Sequence, residues 1–145
     1  MNKSLRYILI GVFLLLLVAV RLFENNFFND GLIVFFKSKY LTAKLPEITF
    51  FNHFKIVTFR YLINSLLSIF ILLLLFKQKY LTHFLILLYT TIFIFLSIIY
   101  YWIWIHYKAG EYLNLFYVRR FFIQPLLLFL LIPALLYQKY TNKKN

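Results

Sequence analysis

Four arginines lie within or at the ends of long apolar stretches, where charged side chains are rare: Arg21, Arg60, Arg119 and Arg120. A guanidinium in a membrane helix costs about 2.5 to 3.5 kcal/mol at the bilayer centre and less near its edge, so several together require a compensating interaction. Arginine offers a planar fork of donors that matches a phosphate or a carboxylate. The chemistry that these residues indicate is the binding of an anion.

Polar side chains extend two of these positions along a helix face. Asn64 follows Arg60 by four residues, and Gln124 follows Arg120 by the same interval, which places each pair on a shared face. A polar face of this kind is turned toward protein and not toward lipid. We expect Asn64 and Gln124 to form hydrogen bonds between helices; a conduction path in a small transporter is the alternative.

Nearby acids offer the arginines a purely structural role. Glu24 follows Arg21 at i+3, the spacing of neighbours on one helix face, and Glu111 precedes the last apolar stretch. The arginines would then pair with these acids and with backbone carbonyls and hold the helices together. The alternative is a cationic pocket for a phosphate head group, a carboxylate or an acidic segment of a partner, and the sequence leaves both open.

Residue patterns for catalysis or metal binding are weak. The three histidines, His53, His83 and His106, show no H-x-x-x-H or H-E-x-x-H spacing, and the chain has no cysteine. We therefore predict no metal and no cofactor, and we expect solvated histidines at the membrane interface. The alternative is an enzyme acting on a lipid phosphate or a sorting signal, in which His53, His106 or an external acid moves protons.

The composition shows which elements must hold these residues. The 145 residues are 63% hydrophobic, 23% aromatic and only 14% charged, which is too apolar to cover the surface of a soluble domain. The fold class is therefore an all-α integral membrane protein. The net charge of +12 does not indicate a nucleic-acid partner, because the basic residues flank apolar runs and do not form one solvated patch.

Four stretches are long enough to cross a bilayer as helices, which takes about 20 apolar residues. They predict one membrane domain over residues 1–145, with spans at about Tyr7–Phe23, Phe54–Phe76, Leu81–Ile105 and Leu113–Tyr137. Four residues between the second and third spans predict a tight hairpin. Pro125 should break the fourth span just after Gln124 and free carbonyls that the arginines could satisfy.

The external loop 24–53 is too long to be a simple turn. Asn29 and Asp30 precede the short apolar run 31–36, which predicts a capped helix that is interfacial or re-entrant. Aromatic residues flank the predicted membrane surface, and we expect them to form an aromatic belt. They are Phe27, Phe28, Phe35 and Phe36 in the loop, and Tyr100, Tyr101, Trp102 and Trp104 at the end of the third span.

The orientation follows from the uneven distribution of charge. Seven basic residues and no acid lie in segments 1–6, 77–80 and 138–145, whereas all four acids lie on the other side of the predicted spans. Positive residues collect on the cytoplasmic side, so both termini should face the cytoplasm. The four arginines then share one depth, within roughly 10 Å of the outer surface, where a guanidinium can still reach water.

Several of these segments carry a family resemblance. The chain resembles the exosortase F system-associated membrane protein family along its whole length, in order. The motifs are VRLFE at 20–24, YL at 40–41 with LPE at 45–47, RYLINS at 60–65 and, the most specific, FYVRRFFIQP at 116–125.

The resemblance implies a multi-pass protein of the bacterial inner membrane that works beside exosortase F. Exosortases resemble membrane transpeptidases that process C-terminal sorting signals on the outer face with Cys, Arg and His. This chain has no cysteine and cannot be that transpeptidase. The expected function is that of an accessory protein that binds the exosortase, its substrate or an anionic lipid, and the resemblance implies no established activity.

Overall fold

The computed structural model describes residues 2–27, 32–38, 44, 47–108 and 112–143, and its regular structure is entirely helical there. Seven helices follow one another in these ranges. They are α1 (Lys3–Leu22), α2 (Glu24–Phe27), α3 (Leu32–Lys37), α4 (Phe50–Phe76), α5 (Leu81–His106), α6 (Leu113–Ile123) and α7 (Leu126–Asn142).

Helices α1, α4 and α5 are each long and apolar enough to cross a membrane, and the described part of the chain has a fourth such element if α6 and α7 form one bent span. The all-α class is thus confirmed for the described residues, and the apolar helices are consistent with the expected membrane protein. Helix α4 begins four residues earlier than the predicted span, at Phe50. The predicted break is also confirmed, because α6 ends at Ile123, α7 begins at Leu126, and their axes differ by 60°.

Helix α4 is the centre of the bundle, since α1, α5, α6 and α7 all pack against it. Its polar residues Asn64, Ser65 and Ser68 are buried, as are Val57 and Leu72. A helix that contacts protein on most sides can carry polar groups because its neighbours supply partners for them. The polar face predicted for this segment therefore faces protein.

Helix α1 runs antiparallel to α4 and has little burial of its own. Phe13 stacks on Phe70 with ring centroids 5.6 Å apart. At the far end, Arg6 donates a 2.7 Å hydrogen bond from Nη2 to the carbonyl of Leu75. That carbonyl lies in the last turn of α4, where intrahelical partners run out and the helix dipole favours a cation. These contacts fix the register of α1 along α4.

Helices α4 and α5 form the predicted hairpin through residues 77–80. Tyr61 donates from its hydroxyl to the carbonyl of Tyr89 at 2.8 Å, which ties the two helices together midway. The ring of Tyr61 also lies edge-on to that of Phe122, with centroids 5.8 Å apart. Phe122 also meets Phe93 of α5 edge-on with centroids 5.9 Å apart, so α6 packs against both members of the hairpin.

Tyr100 and His53 depart from the predicted interface. Tyr100 is fully buried and His53 is 1% exposed, and they share a hydrogen bond between Tyr100 Oη and His53 Nε2. His53 also stacks on Trp104. The prediction of a solvated His53 and a belt-forming Tyr100 was wrong. The reason is the earlier start of α4, which carries His53 into the helix opposite α5. Tyr101 and Trp102 are exposed.

Helix α3 is the short helix predicted in the first loop. Leu32 and Phe35 are buried on its inner face. Phe35 meets Tyr112 edge-on with centroids 5.3 Å apart, and Phe36 lies 5.2 Å from Phe116. These rings pack on the start of α6. The expected cap, Asn29 and Asp30, lies outside the described residues, as do Phe28 and the side chain of Phe27.

Candidate functional site

Glu24 joins three helices at the end of the bundle where α1 finishes. Its Oε2 accepts a 2.8 Å hydrogen bond from Nη2 of Arg60 in α4, and its Oε1 lies 3.5 Å from Nζ of Lys37 in α3. The Arg60 side chain is 2% exposed, so the pair is mostly removed from water. A buried guanidinium needs such a counter-charge.

This pairing corrects the expected partner of Arg21. Helix α1 ends at Leu22, Phe23 forms a turn with its N–H on the carbonyl of Ala19, and Glu24 opens α2. The i+3 rule applies within one continuous helix, and the turn at Phe23 interrupts it. Glu24 therefore contacts Arg60 and Lys37, and Arg21 forms no ion pair with it.

The pKa of Glu24 reflects two opposing effects. Partial burial raises the pKa of the carboxyl, while the hydrogen bond from Arg60 and the charges of Arg60 and Lys37 lower it. The cations prevail, and the pKa lies below its ordinary value of 4.5. Glu24 is consequently ionised at neutral pH and stays bound to Arg60.

A cavity of about 270 Å³ lies beside this ion pair; we call it the basic cavity. Its charged lining comes from the ends of α1, α2, α3 and α6. Four cations and one carboxylate face it among the described residues: Arg21, Lys37, Arg119, Arg120 and Glu24. Three of the four predicted arginines are therefore brought together, and Gln124 lies beside them.

The arginines of the basic cavity differ in how they are held. Arg119 is 5% exposed, and its guanidinium carbon lies 5.6 Å from the ring centroid of Phe36, a cation–π arrangement. Arg120 is exposed and donates from Nε to Oε1 of Gln124 at 3.0 Å. Arg21 is exposed at the last turn of α1. Arg119 is thus part of the packing, whereas Arg21 and Arg120 are accessible.

A second cavity of about 330 Å³ adjoins the first; we call it the apolar slot. The two cavities share Arg21, Ile123 and Gln124. The slot continues from them between α1 and α7, with Arg60 and Asn64 of α4 also lining it. Its remaining lining is apolar: Leu14, Leu17, Val18, Val20, Pro125, Leu126 and Phe129.

Asn64 supports the break between α6 and α7. Its Nδ2 donates a 2.9 Å hydrogen bond to the carbonyl of Ile123, the last residue of α6. Pro125 has no N–H and ends the helix there, so this carbonyl has lost its place in the ladder. At the Ile123 carbonyl, Asn64 supplies the donor that an arginine was expected to supply, because Asn64 lies opposite the break. Ser68 donates to the carbonyl of Asn64 at 2.6 Å.

All six predicted site residues line the two cavities: Arg21, Arg60, Asn64, Arg119, Arg120 and Gln124. The possible partner Glu111 lies outside the described residues. Lys37 is a member that the sequence did not reveal, because its place depends on α3 folding over α6. Only its position after an apolar run of six residues hinted at a helix end.

The histidines lie elsewhere. His53 is buried against Tyr100, and His106 bonds through Nδ1 to the carbonyl of Trp102 one turn earlier. Neither lines the basic cavity or the apolar slot. Across the described ranges, no three His, Asp or Glu side chains come close enough to hold a metal ion. The arrangement offers cations for binding an anion.

Comparison with known proteins leaves the geometry as the main guide to function. No protein-family model, curated protein or solved structure matches this chain.

Proposed function

We propose that the chain is a four-span protein of the bacterial inner membrane, with α6 and α7 together forming the last span and both termini in the cytoplasm. The charge asymmetry between the two ends of the bundle supports this orientation. Counting from Phe76, Arg60 stands about 24 Å along α4, near the far edge of a 30 Å hydrocarbon core. The basic cavity then opens near the outer surface. Helix α3 would lie over it at the membrane interface.

Within this topology, the proposed function is that of an accessory component of an exosortase F protein-sorting system. The motifs at 20–24, 60–65 and 116–125 carry the resemblance, and each of them contributes residues to the lining of the two cavities. The protein would bind the exosortase, its substrate or an anionic lipid at the outer leaflet. In such systems, sorting signals are processed on this outer face of the membrane.

The single observation that supports binding most strongly is the makeup of the basic cavity. Arg21 and Arg120 are exposed there, and in the described residues neither forms an ion pair with an acid. A purely structural role would pair both guanidiniums with acids of the bundle, whereas Arg120 is bonded to the neutral amide of Gln124. Their accessibility is what an anionic ligand or an acidic surface of a partner requires.

Binding also accounts for the site better than catalysis does. Among the described residues, the two outer histidines of the enzyme alternative line neither cavity, and Glu24 is engaged by Arg60 and Lys37. An acid–base mechanism needs a titrating group within reach of the bound ligand. The transport alternative needs a continuous polar path, yet the slot beyond Asn64 and Gln124 is apolar.

Copurification tests the proposal. A tagged chain is expressed with exosortase F, extracted in mild detergent and captured, and the exosortase is measured by immunoblot. The wild type should recover it, and the double variant Arg21→Gln/Arg120→Gln should recover several-fold less. Lys55→Gln is the matched control, since Lys55 is an exposed cation of α4 that lines neither cavity. Repeated failure of the wild type to recover the exosortase would contradict the proposed partnership.

A further inference from the structure

We infer that the basic cavity and the apolar slot together form one binding site for a phospholipid with an exposed phosphate, its head group in the cavity and an acyl chain in the slot. This inference deepens the proposed function, because it names the ligand of the same arginine cluster. It rests on that proposal only for the outer-leaflet placement of the site.

The basic cavity and the apolar slot are continuous. Arg21, Ile123 and Gln124 line both cavities, so the charged and apolar regions meet at one level. From Arg21 the slot follows α1 back to Leu14, a rise of about 10 Å along the helix. A ligand that fills both must carry a charge at one end and hydrocarbon at the other.

The charge of the head group follows from the lining. Among the described residues, four cations face the basic cavity and Glu24 is the only carboxylate. Glu24 is already bound to Arg60 and Lys37. A phosphomonoester carries about two negative charges and three acceptor oxygens, so it can engage more than one guanidinium at a time. A carboxylate has only two oxygens and one charge.

The slot favours an acyl chain over a peptide. Its volume of about 330 Å³ lies at the small-molecule end of binding sites, whereas a helix about 10 Å across needs a wider groove. Leu14, Val18 and Phe129 line it and are 42%, 54% and 64% exposed. The slot is therefore open along its length to the surrounding hydrocarbon, from which a lipid can enter sideways.

Lipid titration of the purified full-length chain tests this inference. The chain in a non-ionic detergent is titrated with dioleoyl phosphatidic acid, dioleoyl phosphatidylcholine or glycerol 3-phosphate, and bound ligand is counted by native mass spectrometry. Phosphatidic acid should bind at least about tenfold more tightly than phosphatidylcholine. Arg21→Gln/Arg120→Gln should remove most of that preference, because hydrogen bonds between charged groups are the strong ones.

Two variants, each with a matched control, test the head-group contacts and the acyl-chain contacts separately. Leu14→Trp fills the slot and should weaken phosphatidic acid about fivefold or more, while Leu15→Trp, on the next residue and outside the slot, should change it less than about twofold. Lys55→Gln is the charge control for the arginine variant.

Each other result overturns the inference in a recognisable way. Equal binding of phosphatidic acid and phosphatidylcholine would remove the head-group assignment. Binding of glycerol 3-phosphate as tight as that of phosphatidic acid, with no effect of Leu14→Trp, would leave an anion site without a lipid. Because the titration contains no exosortase, loss of lipid selectivity with intact copurification would overturn the lipid inference alone. Lipid selectivity without copurification would overturn only the partnership.

Discussion

The guanidinium of Arg60 and the carboxylate of Glu24 meet at 2.8 Å although they come from different helices, 36 residues apart in the chain. Glu24 stands just beyond the end of α1, and Arg60 lies ten residues inside α4. The pair therefore sets where α1 stops along α4, and Lys37 adds α3 to the same point. The Glu24 carboxylate thus fixes the relative positions of α2, α3 and α4 beside the basic cavity.

Removing the Glu24 charge should destabilise the bundle. Glu24→Gln removes the 2.8 Å ion pair with the buried Arg60, and we expect the free energy of unfolding to fall by about 2 kcal/mol. Thermal unfolding in detergent measures this. Arg60→Met in the Glu24→Gln background should recover part of the loss, because the guanidinium then no longer has to be removed from water. A double variant that is less stable by the full sum of both single changes would argue against direct coupling.

The pH dependence of stability follows from the same group. The pKa of Glu24 lies below 4.5 in the folded chain, so its contribution to stability is fully present above about pH 4.5 and is lost as the pH falls through the folded-state pKa. The melting temperatures of wild type and Glu24→Gln should differ by a constant amount from pH 7 to pH 5.5. The gap should narrow below pH 4.5. A gap that widens on acidification would mean that the carboxyl is not held ionised by its cations.

The hydrogen bond from Asn64 to the carbonyl of Ile123 should matter only while the helix is broken. Asn64→Ala should cost about 1 kcal/mol or more, since a buried carbonyl loses its donor. In a Pro125→Ala background the cost should be smaller, because α6 and α7 can then join and the carbonyl regains an intrahelical partner. A double-mutant cycle in detergent measures the coupling. Additive effects of the two changes would contradict this interpretation.

The proposed topology can be tested with single cysteines, since the chain has none of its own. Ser38 and Gln78 are both exposed and lie on opposite sides of the predicted spans. In intact cells, Ser38→Cys should react with a membrane-impermeant maleimide, and Gln78→Cys should react only after permeabilisation. Labelling of Gln78→Cys alone in intact cells would invert the orientation of the basic cavity.

Much of this architecture can be predicted from the sequence, because it depends on properties of single chain segments. Long apolar runs define α1, α4 and α5, and Pro125 ends α6 through its own backbone. The arginines stand out because lipid tolerates charge so poorly. These features need no knowledge of which helix touches which.

Pairings between distant segments could not be read in the same way. Glu24 pairs with Arg60 and not with Arg21, because the turn at Phe23 changes the direction of the chain. Asn64, and not an arginine, donates to the Ile123 carbonyl at the break. Burial of His53 depended on α4 starting at Phe50, only one turn before the predicted span. Lys37 joined the site through the packing of α3. Each outcome depends on tertiary contacts that spacing along one segment does not contain.

The binding role of the accessible arginines, Arg21 and Arg120, is tested most directly by sorting activity in cells. The measurement is the fraction of an exosortase F substrate that is processed in cells producing either the wild type or Arg21→Gln/Arg120→Gln, with the membrane level of each protein checked by immunoblot. Both residues are exposed, so the variant should accumulate normally. We predict that processing falls several-fold at unchanged protein level, whereas normal processing by the double variant would contradict a binding role for the cluster.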